Sequence, residues 1–391
     1  MIRTLLFSTL YPNSTRPSHG IFVETRLRHL LASGQIETRV VAPAPWFPFR
    51  HPMFGEYARH AAVPRHEVRN GISVEHPRYL LLPKVGMNRA PHDLARAGLK
   101  AARRLIASGY DFDLIDAHYF YPDGVAATMI GKALGKPVVI TARGTDINLI
   151  PQYPKPRQMI LDAARDCAAM ITVCAALKDA IVGLGGTAEK ITVLRNGVDL
   201  NLFHQENRNE ARARFGLSRY ALASVGNLIP SKGHHLIIKA LLELNDVELL
   251  IAGQGPHEQS FKELAVKLGV AGRVRFLGAL PQAELRFLYS AVDALALASE
   301  REGWPNVLLE AMACGTPTIA SNVGGVKEII TAHEAGVIMN ECTPKGIVHA
   351  VTCLRQALPD RSATRRYAEQ FSWDETTAGQ LTLFRSTLDQ T

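Results

Sequence analysis

The sequence has no Cys-x-x-Cys pair and no cysteine–histidine group at metal-ligand spacing. Its five cysteines (Cys167, Cys174, Cys314, Cys342 and Cys353) are odd in number. A disulfide scaffold and a structural zinc site are therefore not expected, and a reducing, cytoplasmic compartment is. No apolar run approaches the ~18–20 residues that span a bilayer. There is no repeat of fixed period, which excludes a solenoid. Nor is there a long polar or Pro/Gly-biased tract, which excludes a disordered or collagen-like chain. Residues 2–10 resemble a signal peptide only faintly. Their apolar stretch is short, meets Pro12 at once and lacks a small-residue cleavage site, so they read as a first β-strand.

What is present is an ordinary globular composition: 391 residues, 47% hydrophobic and 20% charged. At ~150 residues per domain, two or three domains are expected. The net charge of +8 is unevenly placed. Residues 1–195 carry 25 Lys and Arg against 15 Asp and Glu, whereas residues 196–391 carry 19 against 21. The basic half suits phosphates, acidic sugars or anionic lipid headgroups. Nucleic acid is not an expected partner, because the basic residues are scattered and follow no recognition motif.

Short apolar runs alternate with helical patterns along the whole chain. The first half offers Thr4–Leu10, Thr38–Pro43, Leu114–Ala117, Val138–Thr141, Met170–Val173 and Ile191–Arg195. The second offers Ala221–Val225, Glu248–Ala252, Val274–Leu277, Ala294–Ala298, Pro317–Ser321 and Gly336–Met339. Strands alternating with helices imply βα units and two parallel sheets, one per half. The segment Arg195–Asp199 is the expected linker. Residues 44–93 are rich in proline, aromatics and arginine and fit the alternation poorly; they read as an irregular insertion at an open edge, suited to substrate recognition. Pro91–Ser108 carries Arg96, Lys100, Arg103 and Arg104 beside Leu94, Leu99, Leu105 and Ile106. It reads either as a basic amphipathic helix on anionic lipid or as a helix packed on a sheet with its basic face in water.

The most informative stretch runs from Ser299 to Pro317. A strand ends near Ser299 and a helix starts near Pro305, so the free N–H groups of the first turn and the helix dipole favour an anion there. Glu302 precedes that helix and Glu310 lies inside it. Two carboxylates at this spacing can flank one elongated ligand and accept hydrogen bonds from vicinal hydroxyls. Lys232 follows a strand end at Val225-Gly226-Asn227 and is a compact cation suited to a diphosphate. In the first half, Asp116-Ala117-His118 and Thr141-Ala142-Arg143-Gly144-Thr145-Asp146 each close a strand.

Glu302-Gly303, the string Glu310-Ala-Met-Ala-Cys-Gly-Thr-Pro and Gly324-Gly325-x-x-Glu328 strongly resemble retaining glycosyltransferases of family 4. That resemblance implies an α/β fold of the GT-B type: two Rossmann-like domains facing across a cleft, with a last helix crossing back onto the first domain. The implied boundaries are 1–199 on the acceptor side, 200–372 for the nucleotide sugar, and 373–391 for the returning helix. The implied activity is transfer of a sugar, with retention, from a nucleotide-sugar donor to a glycan, lipid-linked or small-molecule acceptor. Cell-surface polysaccharide or glycoconjugate synthesis is the implied setting, with no cofactor and no metal. A peripheral position on the inner face of a membrane is a further expectation. The rival readings are a nucleotide-sugar epimerase of the same fold, which needs no acceptor, and a non-catalytic nucleotide-sugar-binding subunit.

Carried over residue by residue, the resemblance assigns catalytic roles to His118, Lys232, Glu302 and Arg143. Donor contacts fall to Gly20, Asn227, Lys232, Gly303, Trp304, Pro305, Asn306, Glu310, Gly255 and Leu277. His19 and Asp146 fall on the acceptor side. Two positions depart from the family pattern: Asn227 stands where Arg is usual, and Arg143 where many relatives have His. The pair suggests that Arg143 makes up the charge missing at 227.

Overall fold

The structure, a computed structural model, describes residues 1–81 and 86–390. Residues 82–85 of the expected 44–93 insertion, and the final Thr391, lie outside the described residues. The chain forms two compact units, Met1–Arg195 with Asp374–Thr391, and Asn196–Trp373.

In the first unit the strands are β1 (Ile2–Phe7), β2 (Ile36–Val41), β3 (Ala44–Pro45), β4 (His66–Arg69), β5 (Ile72–Glu75), β6 (Arg78–Tyr79), β7 (Leu114–His118), β8 (Val138–Ala142), β9 (Ala169–Thr172) and β10 (Ile191–Val193). Eight of them make one sheet in the order β10-β9-β8-β7-β1-β2-β5-β4, parallel except for the β4–β5 pair. In the second unit β11 (Tyr220–Val225), β12 (Val247–Ala252), β13 (Val274–Gly278), β14 (Ala294–Leu297), β15 (Thr318–Ala320) and β16 (Gly336–Ile338) form a parallel sheet ordered β13-β12-β11-β14-β15-β16. The central strands are buried on both faces, as parallel strands covered by crossover helices must be. In both sheets the chain order reverses between neighbouring strands, at β1/β7 and at β11/β14. At such a switch point the loops at the strand carboxyl ends diverge and leave a crevice for ligands.

The 44–93 segment is more regular than expected. It contributes β4 and β5, which extend the large sheet as an antiparallel hairpin, and β3 and β6, which pair with each other. The turn between β4 and β5 is Asn70-Gly71, with φ of 49° and 78°. Positive φ at both central residues matches the right-handed twist of a hairpin, and Asn-Gly supplies it at least cost. Ile72 and Val74 then alternate inward.

The helix Ala90–Ala107 starts earlier than the pattern suggested, with Pro91 in its first turn. It buries Leu94, Gly98, Ala101, Ala102 and Leu105, while Arg96, Lys100, Arg103 and Arg104 face solvent. Gly98 lies so close to Phe7 that a Cβ there would sit 2.6 Å from its ring. The apolar face is thus consumed by the sheet, and the expectation that this helix lays it on lipid is corrected. Among the described residues no helix is long and apolar enough to cross a membrane.

The final helix, Trp373–Asp389, packs Leu381 and Phe384 among Leu30, Ile36, Leu114, Val139 and Ile171 of the first unit. Burying two such side chains contributes roughly 1.5–3 kcal/mol each, enough to hold the helix on that unit.

Candidate active site

In the second unit, the loop after β11 and the loop after β14 are joined. Gly233, at φ 71°, lies against the end of β14 so tightly that a Cβ would sit 1.9 Å from the Ala298 carbonyl oxygen. Only glycine allows that approach. The Glu300 amide donates to the Ser231 carbonyl (2.9 Å), and the Lys232 ammonium meets Glu302 Oε1 at 2.6 Å. Lys232 and Glu302, read separately from the sequence, are therefore one ion pair. His234 braces the same loop. Its Nε2 donates to the Asn227 carbonyl (3.2 Å) and its Nδ1 accepts from the Ser224 hydroxyl (2.8 Å). Burial pushes this imidazole down to about 4, so it is neutral. Asn227 engages the loop through its backbone, and its side chain is exposed. Gly255 lets the loop after β12 lie against Leu228, where a Cβ would be 2.5 Å from the carbonyl oxygen. Leu277, near the end of β13, is half-buried.

The helix Asn306–Ala313 starts directly after Pro305, and Gly303 accepts the Gly325 amide (3.0 Å), which fixes the approach to the helix. Glu310 accepts a hydrogen bond from the Tyr289 hydroxyl at Oε2 (2.9 Å). Burial raises the Glu310 carboxyl to about 7, and the Tyr289 bond opposes that rise only in part. Tyr289 carries no signal in the local sequence; it sits 21 residues away on the preceding helix. Trp304 and Asn306 are used differently from expectation. The Trp304 indole is buried and donates to the Asn196 carbonyl (2.9 Å), and Asn306 Oδ1 accepts from the Asn196 side chain (3.2 Å). The Trp304 N–H and the Asn306 Oδ1 thus hold the start of the unit. Trp304→Phe keeps the packing on Phe371 but strands the carbonyl, at about 1–3 kcal/mol. A thermal melt should show the loss, with donor affinity changed less than about threefold.

In the first unit, His118 is 1% exposed, with both ring nitrogens in use. Nδ1 meets the Arg143 guanidinium at 2.5 Å and Nε2 meets Asp116 Oδ2 at 3.2 Å. Arginine can only donate, so Nδ1 accepts and the proton rests on Nε2, facing Asp116. Burial, reinforced by Arg143 and opposed by Asp116, brings His118 down to about 4. Asp116 is buried too, but His118, Arg26 and Arg143 hold it below the usual carboxylate range. Gln380 of the last helix donates to Asp116 Oδ2 (3.1 Å) and accepts from Arg26 Nε (2.8 Å). Asp116 was legible, since residues two apart on a strand share a face. Gln380 and Arg26, 354 positions apart, were not.

His118 therefore braces the guanidinium of Arg143, which is partly exposed and lies over the Phe22 ring at 5.2 Å. Burial, with Arg26 adding to it, lowers Arg143 to about 9, still a cation at neutral pH. Asp146, expected on the acceptor side, is fully buried. Its carboxylate accepts the amides of Phe120 (2.6 Å), Arg143 (3.1 Å) and Gly144 (2.7 Å), and so shapes the loop that presents Arg143. Gly20, at φ 67°, caps the first helix against Leu10, where a Cβ would lie 2.3 Å from the carbonyl oxygen. That close approach is to its own chain. His19 is half-buried and lowered to about 4 by burial, with Arg16 adding to it. Asp123, which the sequence reading passed over, is fully buried beside the Thr9 hydroxyl (2.8 Å) and raised by burial to about 8. Asp111 and Asp113 lie at the opposite, amino end of β7, where they engage Lys136 and the Arg3 amide.

Two doubly wound sheets, each with polar side chains gathered at strand carboxyl ends, fit the GT-B architecture. Residues 22–202 match the Glycosyltransferase Family 4 model and residues 206–371 match Glycosyl transferases group 1. A D-inositol 3-phosphate glycosyltransferase of Salinispora arenicola is 30% identical over 325 residues, covering 74% of this chain and 71% of the relative. TuaC of Bacillus subtilis, assigned to teichuronic acid biosynthesis as a glycosyltransferase, is 28% identical over 359 residues, covering 90% and 88%. The structure of Anabaena HepE in complex with UDP-glucose superposes with a TM-score of 0.73 at 19% identity, each chain covered completely. The chain belongs to glycosyltransferase family 4.

Proposed function

We propose that the second unit holds a nucleotide-sugar donor and that the sugar is transferred with retention of configuration to a glycan or lipid-linked acceptor, in polysaccharide or glycoconjugate synthesis. The Lys232–Glu302 ion pair, directly before a helix that carries Glu310, supports this reading best. Glu310 would take the ribose diol and Glu302 the sugar hydroxyls. Lys232 would exchange its carboxylate for the diphosphate, with the amide end of the helix Asn306–Ala313 beside it. The likeness to HepE, whose structure holds UDP-glucose, supports the same donor class.

In the reaction the bond from the anomeric carbon to the diphosphate breaks, with its electron pair going to the phosphate oxygen. The acceptor hydroxyl attacks from the same face and its proton passes to the departing phosphate. Lys232 meets the charge that develops on the leaving group, so the mechanism invokes no metal; turnover should persist in chelator. A panel of nucleotide sugars tested by shift in melting temperature identifies the donor, and proton NMR of the first-formed product reads its anomer. An inverted anomer, or an isomerised sugar formed without acceptor, would refute the proposal.

Lys232→Ala should weaken donor binding about 10- to 100-fold, the loss of one charge-assisted contact. Calorimetry checks it. Lys232→Arg should restore part of the loss.

A further inference from the structure

Apart from the residues described above, the segment following β3 builds a surface of its own. Phe47 contacts Phe54 (5.4 Å) and Tyr57 (5.2 Å) ring to ring, and Phe49 stacks on Phe54 at 5.3 Å. These rings support one another in a knob from which Trp46 (53% exposed), Phe49 and Met53 (76% exposed) project into solvent. Large apolar groups rarely collect on a surface without something to cover them.

Beside the knob is a groove of about 550 Å³ lined by Trp46, Phe47, Arg50, Arg65 and Arg78. Among the described residues no carboxylate lines it. Arg78 donates to the carbonyls of His60 (2.8 Å) and Val63, which fixes its guanidinium. Burial and then the charges of Arg65 and Arg50 lower its affinity for its own proton. Three cations pressed together without an acid call for an anion. Arg65 and Arg78 also line a second, smaller cavity with Lys100, Arg104 and Glu75, where Glu75 pairs with Arg104 at 2.9 Å and Lys100 extends the basic patch onto the helix Ala90–Ala107.

We propose that this knob and groove dock the protein on a membrane surface bearing anionic phospholipids. Trp46, Phe49 and Met53 enter the headgroup–acyl boundary, and a lipid phosphate sits among Arg50, Arg65 and Arg78. Aromatic tips with an arginine collar match the two layers of that boundary, apolar below and anionic above. A soluble acidic glycan would satisfy the arginines but would leave Met53 and the Phe49 edge bare. The proposal is independent of the donor reading, because the patch belongs to the first unit and the donor cluster to the second.

The full-length protein carries its own reporter. Of its three tryptophans, Trp304 (6% exposed) and Trp373 (4%) are buried, so a change in emission on adding lipid reports Trp46. With vesicles of phosphatidylglycerol and phosphatidylcholine in about equal parts, emission should shift to the blue, and brominated acyl chains should quench it. With phosphatidylcholine alone, both effects should be weak. Arg50→Ser with Arg65→Ser, both exposed positions, should reduce binding to the anionic vesicles about 30-fold at ~1 kcal/mol per arginine. Phe49→Ser with Met53→Ser should reduce it by a similar factor and abolish quenching. Two results would overturn the docking role: equal, negligible sedimentation with both vesicle types, or binding that needs the arginines but is indifferent to Phe49 and Met53 and leaves Trp46 unquenched. Binding of a soluble uronic-acid oligosaccharide in the absence of any vesicle binding would also overturn it and assign the groove to an anionic glycan. Donor-induced melting shifts, measured separately, test the transfer reading and move with neither outcome.

Discussion

Glu310→Ala should weaken donor binding by about 10²- to 10⁴-fold while the protein stays folded. The figure follows from two hydrogen bonds between a carboxylate and a diol, each worth ~1.5–3 kcal/mol. The wild-type protein should also bind its donor with a pH dependence that identifies this group. In the free protein burial raises Glu310 to about 7, and a diol needs the ionised form as acceptor. Donor affinity should therefore fall about tenfold per pH unit below 7, with proton release on binding near that pH, read by calorimetry in buffers of different ionisation enthalpy. Glu310→Gln should flatten the profile. Tyr289→Phe should move its break upward, because the Tyr289 hydroxyl favours the charged form. Stability has the opposite sense: the folded value lies above the unfolded 4.5, so the contribution of this group is complete below 4.5 and is lost as pH rises through about 7. Unchanged donor affinity in folded Glu310→Ala would remove the residue from the donor site.

Arg143→Ala should lower kcat by roughly 10²–10³, the cost of removing one preorganised donor to a developing anion, and change donor affinity little. Arg143 is held on two sides, by His118 and by the Phe22 ring, so its planar fork is oriented before substrate arrives. Arg143→Lys should recover little, since an ammonium cannot reproduce the fork. Replacing Gln380 by Leu should act through Asp116 and His118: kcat falls while KM for the donor holds. A turnover within about threefold of wild type in Arg143→Ala would place that residue outside the chemistry.

The surroundings of His118 illustrate how much of the site could be read in advance. The strand-end position of the Asp116-Ala117-His118 run was plain from its apolar pattern. That the imidazole points inward and Arg143 outward was not, because it depends on Arg26 and Gln380 arriving from 92 positions before and 262 after. The helix Ala90–Ala107 shows the same division. Its amphipathic spacing was legible, but spacing alone does not say whether sheet or lipid covers the apolar face. The β4–β5 hairpin was missed for a different reason. Its Asn70-Gly71 turn was a usable local signal, hidden by the prolines and arginines around it.

The sequence by itself determined the alternation of strands and helices, the division into two halves, the placing of Glu302, Lys232 and Arg143 near strand or helix ends, and that of Glu310 inside the helix after Pro305. These follow from periodicity, turn residues and helix starts, which act over a few residues. Only the tertiary structure decided that Lys232 pairs with Glu302, that Tyr289 and burial set the charge of Glu310, that Arg143 and Asp116 take up the ring nitrogens of His118, and that the aromatic knob at 46–57 is exposed. Each of these depends on which distant groups share a low-dielectric pocket or a stretch of surface. Charge, protonation and exposure are properties of that shared environment, and it forms only when the sheets are packed.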